Sequence, residues 1–167
     1  MLLEAIAKRR SIRKFLDIPV TDAQVRELLE AGMLAPTAKN GQPWHFIVVR
    51  NPETLQKLRE NHPYSTSLQT APLCICVCGV IDPAMPDYYT QDCAACTQNI
   101  LLQAAHMDLG ACWMGVAPRE ERMKMAAEIL DIPEGIAPFC LIAVGTPAEK
   151  REMPTRFNHT RIHMEKF

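Results

Sequence analysis

The sequence predicts a single α+β or α/β domain in which helices flank a central sheet of about four strands. Three observations lead there. Apolar runs rich in strand formers recur at Trp44–Arg50, Leu73–Val80, Ala111–Val116 and Pro138–Gly145. The segments between them carry apolar residues at helical spacing. The 167 residues show no repeat, linker or low-complexity stretch, so 1–167 is expected to be one domain around one core.

Composition narrows the function classes. The chain is 48% hydrophobic and 22% charged, as in ordinary globular proteins. Eighteen Lys and Arg balance nineteen Asp and Glu, and a net charge of −1 argues against nucleic-acid binding through a global basic field. The longest apolar run, Leu73–Ile81, is far short of the roughly 20 residues of a membrane span. Met1–Ala7 is a short apolar stretch with basic residues after it rather than before it, so no secretory signal is expected. The seven cysteines, an odd count, point to reduced thiols and a cytoplasmic setting.

The elements follow in order. Met1–Lys8 reads as a short helix. A second helix starts after Thr21, which forms a capping box with Gln24, and Val25, Leu28, Leu29 and Met33 make its buried face. Gly32 and Pro36 punctuate its end. A polar turn-rich loop, Pro36–Pro43, leads into a buried strand, Trp44–Arg50. Pro52–His62 is a surface helix anchored by Leu55 and Leu58. Leu73–Val80 is a strand covered on both faces. Asp92–Leu109 is a helix apolar around most of its circumference, to be buried centrally or against a partner chain. Ala111–Val116 is a strand, and Pro118 opens a helix through Leu130. Pro138–Gly145 is the last strand. The basic tail, Thr146–Phe167, is too polar to pack alone and must lie along a surface.

Four places are suited to chemistry. Arg9, Arg10, Ser11 and Arg13 offer planar donor forks and a hydroxyl fit for a phosphate or carboxylate, or form a solvated charged turn. Pro36–Trp44 offers hydroxyl, amide and backbone donors to the polar edge of a heterocycle, or is a connector. Trp113-Met114-Gly115 ends a strand in a glycine that lets a flat ligand approach the backbone. The tail carries Lys150, Arg151, Arg156, Arg161 and Lys166 near His159 and His163, a phosphate contact or a solvated terminus. Cys74, Cys76 and Cys78 alternate on one strand face as small hydrophobes, while Cys93-x-x-Cys96 is a weak redox or metal candidate. No dinucleotide or nucleoside-triphosphate glycine motif, zinc-protease motif or catalytic triad is present. Asp92, His106, Asp108 and Cys112 are scattered through apolar segments and receive no catalytic role. Ligand loops without an acid or base suggest a cofactor that carries the chemistry.

The order of segments resembles the nitroreductase family. Arg9-Arg10-Ser11-Ile12-Arg13-Lys14-Phe15 is similar to its opening motif, and Ala35–Phe46 to its second. Asp92–Ala95 through Gly110–Gly115 are similar to its central helix and following strand, and Ala143–Pro147 with the basic tail completes the order. The resemblance implies a three-layer α/β/α member of the α+β class. Its four-stranded sheet would be mostly antiparallel, and its tail would extend onto a partner subunit.

It further implies an FMN-dependent oxidoreductase working as an intertwined homodimer, with the helix Asp92–Leu109 at its core. Arg9, Arg10, Ser11 and Arg13 would hold the flavin phosphate and pyrimidine edge. Pro36, Thr37, Ala38, Asn40 and Gln42 would come from the other subunit. Met114 and Gly115 would lie against the ring, with Arg156 and Arg161 on the phosphate. NAD(P)H would deliver hydride to flavin N5, and a small nitro, quinone or enone acceptor would take the electrons in a ping-pong cycle. Arg10 or Arg13 would stabilise the anionic reduced flavin. The short stretch between Asn61 and Asp92 implies a site without a large lid. Other readings are a flavin dehydrogenase or oxidase with another electron donor, a non-catalytic FMN-binding protein, and a redox or metal protein built on Cys93 and Cys96.

Overall fold

The computed structural model describes residues 1–84 and 88–167. Along the chain run α1 (Glu4–Lys8), α2 (Asp22–Met33), β1 (Trp44–Val49), α3 (Pro52–Asn61), β2 (Leu73–Val80), α4 (Tyr88–His106), β3 (Gly110–Gly115), α5 (Glu120–Leu130) and β4 (Ile136–Gly145). The strands form one sheet in the order β1-β2-β4-β3, every neighbouring pair antiparallel.

Strand periodicity divides the core. Leu73, Ile75 and Val77 of β2 face one way, onto Val25 and Leu28 of α2 and Cys93, Cys96 and Ile100 of α4. Cys74, Cys76 and Cys78 face the other way, onto Leu55 and Leu58 of α3 and Ala126 of α5. The result is three layers, α2/α4 over the sheet over α3/α5, as the resemblance implies. β2 and β4 are the central strands and are buried almost throughout. The register slips at Val77/Cys78, where Cys140 is followed as partner by Pro138. A proline has no N–H for the ladder, so the slip falls where a regular bond is unavailable.

Local signals carry over closely. Thr21 Oγ1 accepts from Gln24 N at 3.2 Å and the Gln24 side chain accepts from Thr21 N at 2.9 Å, completing the capping box. Thr21→Ala is expected to cost about 1 kcal/mol, lowering Tm by roughly 2–4 °C in a thermal melt. Gly32 lets α2 lie close on α4, since a Cβ there would stand 3.0 Å from Cys96 Sγ and from Ile100 Cγ1.

Four expectations need correction. β1 is an edge strand, with His45 and Val48 exposed, because among the described residues no strand pairs with its outer side. Met33 is exposed, because α2 meets α4 through Gly32 and the helix ends there. The fifth helix begins at Glu120 rather than Pro118, because Val116 N and Ala117 N still donate to Phe139 O of β4 and hold the chain extended. The long helix runs from Tyr88 to His106, and in one chain only one side of it is buried. Ala94, Ala95, Leu102 and Ala105 stay partly exposed on the other side. The expectation of a short, lidless stretch before Asp92 includes residues 85–87, which lie outside the described residues. Among the described residues, no helix is long and apolar enough to cross a membrane.

Candidate functional site

The arginine segment is laid along the free edge of β3. Ser11 forms a parallel bridge with Ala111, and Ile12 N donates to Ala111 O at 3.0 Å. Gly110 makes this possible, since a Cβ there would stand 2.8 Å from two carbons of Ile12. The start of the tail then pairs back: Leu16 N donates to Thr146 O and Ala148 N to Lys14 O, both at 2.9 Å.

The arginines have divided roles. Arg10 directs Nε to Glu152 O at 2.9 Å, Nη2 to Ala7 O at 2.8 Å and Nη1 to Arg9 O. It ties the end of α1 to the tail and has few donors left for a ligand. Arg13 N donates to Glu149 Oε1 at 2.6 Å, and Arg151 pairs with Glu149 at 3.2 Å. These contacts, the Arg13 amide first, hold the Glu149 carboxyl below its usual range. Arg9 is half-buried and has no acceptor among the described residues. Burial first, then the charges of Arg10 and Arg156, push its pKa down. A guanidinium crowded by like charges and lacking a carboxylate is relieved by an anion. Beside it is a cavity of about 900 Å³ lined by Arg9, Arg10, Ser11, Arg13 and Arg156 among others, within the ~300–1,000 Å³ range of ligand sites. Arg161 does not line it. That residue sits in an exposed 3₁₀ turn, His159–Arg161.

The far end of β3 is open. Met114 is buried, its Sδ accepting from Ser67 Oγ at 3.2 Å. Gly115 is exposed, and a Cβ placed there would meet nothing within 4 Å. Neither Met114 nor Gly115 lines the arginine cavity. That cavity, whose lining includes an arginine without an acceptor among the described residues, fits a phosphate-bearing molecule such as FMN.

The polar loop is built separately. Thr37 Oγ1 accepts from Gln42 N at 3.2 Å, and Gln42 Nε2 donates to Asn40 Oδ1 at 3.2 Å. Lys39, Asn40 and Gln42 have φ of 50°, 55° and 47°, left-handed backbone that costs roughly 1–3 kcal/mol each and clusters at functional sites. What holds the loop was missed in the sequence. Asp92 on α4 is buried, and its Oδ1 accepts from Ala38 N at 3.0 Å. A carboxylate in an otherwise apolar helix was the available signal, since such a group is rarely buried without a partner.

The loop, with Pro36 exposed at its start, borders a different cavity of about 250 Å³ together with Tyr88 and Tyr89. The two cavities have no residue in common. From Asp92 to Leu102, which borders the arginine cavity, α4 rises about 15 Å. One chain thus brings Arg9, Arg10, Ser11, Arg13 and Arg156 together and leaves Thr37, Ala38, Asn40 and Gln42 apart from them.

All seven cysteines are buried and unpaired. Burial pushes the Cys93 and Cys96 thiols up to about 12, leaving them protonated at neutral pH and poor as nucleophiles or ligands.

The profile of the nitroreductase family matches residues 6–62 and 60–146. An Archaeoglobus fulgidus protein provisionally named NADH dehydrogenase/NAD(P)H nitroreductase is 45% identical over 99% of this chain and 98% of its own. A Clostridium acetobutylicum structure provisionally titled NADH oxidase superposes with a TM-score of 0.92 at 41% identity, covering 98% of this chain and 99% of that one. A structure from a Desulfovibrio desulfuricans subspecies, provisionally titled a nitroreductase and solved in complex with FMN, gives a TM-score of 0.81 at 32% identity, covering 98% and 95%. The chain belongs to the nitroreductase family.

Proposed function

We propose that this protein is an FMN-dependent NAD(P)H oxidoreductase of the nitroreductase type that works as a homodimer on a small organic acceptor of nitro, quinone or enone type. The observation that carries the reading is Arg9: a half-buried arginine without an acceptor among the described residues, beside Arg10 and Arg156, at the edge of the strand ending in open Gly115. The FMN in the Desulfovibrio relative supports the choice of ligand.

In this reading Arg9 and Arg156 hold the phosphate, with Arg161 a more distant contributor. Arg10 locks the tail across the segment, and Ser11 and Arg13 meet the pyrimidine edge. The backbone of Met114 and Gly115 supports the ring. Once bound, FMN supplies the two-electron chemistry, taking hydride from NAD(P)H and reducing the acceptor in alternating, ping-pong half-reactions. The protein binds, orients and neutralises charge, and needs no acid or base of its own.

The loop Pro36–Gln42 stands apart from the arginines in one chain, so a second copy supplies it. Support for a dimer comes from the partly exposed apolar side of α4 and from exposed Leu2, Leu3, Phe157, Met164 and Phe167. Unpaired buried cysteines fit a cytoplasmic setting.

The test is an absorbance spectrum of the purified protein before and after anaerobic NADH and then NADPH, with its mass in solution. Flavin bands that bleach, at twice the 18.8 kDa chain mass, support the proposal. Bands that persist redirect it to another electron donor or to flavin storage, and no flavin uptake after incubation with FMN refutes it. Asn40→Ala is expected to weaken FMN binding about threefold to tenfold through loss of one hydrogen bond. A flavin titration of that variant indistinguishable from wild type would remove the loop from the site.

A further inference from the structure

At the end of β3 the carbonyl of Gly115 accepts two side-chain hydrogen bonds, one from 53 residues earlier and one from the following helix. His62 Nε2 donates at 3.0 Å and Arg122 Nη1 at 3.0 Å. A strand terminus exposed to solvent needs neither, because water would satisfy the carbonyl.

His62 is 3% exposed, and both its ring nitrogens are engaged. Its Nδ1 accepts from Tyr64 N at 3.2 Å. A backbone amide can only donate, so Nδ1 carries no proton and Nε2 carries it. The imidazole is therefore a neutral strut between the turn after α3 and the last peptide of β3. Arg122 reinforces it from α5, with its guanidinium 5.2 Å from the Tyr64 ring centroid. Ser65 Oγ closes the turn by donating to His62 O at 2.6 Å.

We propose that His62 is a positioning residue that, together with Arg122, fixes the Gly115 peptide in the orientation presented to the flavin ring. The inference rests on the reading that Gly115 faces FMN. It goes beyond that reading by assigning the support of this backbone to two side chains outside the family motifs identified in the sequence.

The strut works only while His62 is neutral. Protonation would place an Nδ1–H against the Tyr64 N–H, two donors face to face. Burial first, and the nearby Arg122 charge, push the His62 pKa below its ordinary value, while the hydrogen bond to Gly115 opposes them. Arg122 from α5, the Gly115 carbonyl from β3 and Tyr64 from its own turn are the groups that act on the ring. The support is thus intact at neutral pH and lost in acid, below the ordinary histidine value of about 6.5.

The experiment measures FMN affinity and flavin midpoint potential for wild type, His62→Gln, His62→Leu and Arg122→Leu between about pH 8 and pH 5. The FMN phosphate titrates near pH 6, and comparison among variants cancels its contribution. Gln donates to Gly115 O without titrating, so His62→Gln is expected to bind FMN within about threefold of wild type at pH 8 and to lose part of the acid weakening. His62→Leu is expected to weaken FMN about tenfold and shift the potential. Arg122→Leu, at a partly exposed site, is expected to fold normally and to shift the potential in the same direction.

If wild type binds FMN but His62→Gln keeps the full acid limb and Arg122→Leu leaves affinity and potential unchanged, His62 only holds the fold and the proposal is overturned, even should His62→Leu fail to fold. If wild type takes up no FMN, both this proposal and the functional reading beneath it fall.

Discussion

Replacing Arg9 with alanine is expected to raise the FMN dissociation constant about ten- to hundredfold, because a charge-assisted bond to phosphate contributes roughly 1.5–3 kcal/mol. Arg9 is singled out from its neighbours by accounting for donors. Three Arg10 nitrogens are occupied by backbone carbonyls. Arg13 directs Nη1 to Ser11 O, and Arg151 is paired with Glu149. Arg9 has no protein acceptor among the described residues and suffers the charges of Arg10 and Arg156.

The stability of the variant distinguishes a ligand arginine from a structural one. Without FMN, Arg9→Ala should melt at or above the wild-type temperature, since it removes like-charge repulsion. With FMN it should gain less Tm than wild type, because a ligand stabilises in proportion to its binding. Arg10→Ala should do the reverse, losing apoprotein stability through the freed tail. Fluorescence titration and paired melts check both. An Arg9→Ala protein that retains FMN with wild-type affinity would show that the phosphate is held elsewhere.

Gly110→Ala is expected to cost about 1–3 kcal/mol, the usual range for an overpacked core. That corresponds to a Tm lower by roughly 3–10 °C. The added Cβ would stand 2.8 Å from both Cβ and Cγ2 of Ile12, which cannot remain in place. Ile12 is also the residue whose amide bonds Ala111 O and lays the arginine segment along β3. FMN affinity should therefore fall together with stability. Combining Gly110→Ala with Ile12→Gly, which removes all the clashing side-chain carbons including Cβ, should restore part of the FMN affinity, although loss of the Ile12 side chain costs stability of its own. An unchanged melting temperature in the single variant would mean that the segment is not seated on Gly110.

Much of this architecture is legible one segment at a time. Thr21 and Gln24 announce the start of α2. The unbroken apolar run of β2 announces a strand covered on both faces, and the alternation of Cys74, Cys76 and Cys78 announces that they share one. Such signals arise from contacts within a few residues, where periodicity and capping act directly. The site motifs are legible as well, because a run such as Arg9-Arg10-Ser11 is contiguous.

The chain by itself thus determines its helices and strands, its two buried sheet faces and the pieces of a ligand site. Only the tertiary structure decides how those pieces are used. It makes Arg10 a tie to Glu152, 142 residues away, and leaves Arg9 for an anion. It makes β1 an edge, aims Asp92 at Ala38, 54 residues away, and turns His62 toward Gly115, 53 residues away. A side chain's role depends on which donors and acceptors remain around it after packing, and those partners come from sequence separations that no local pattern encodes.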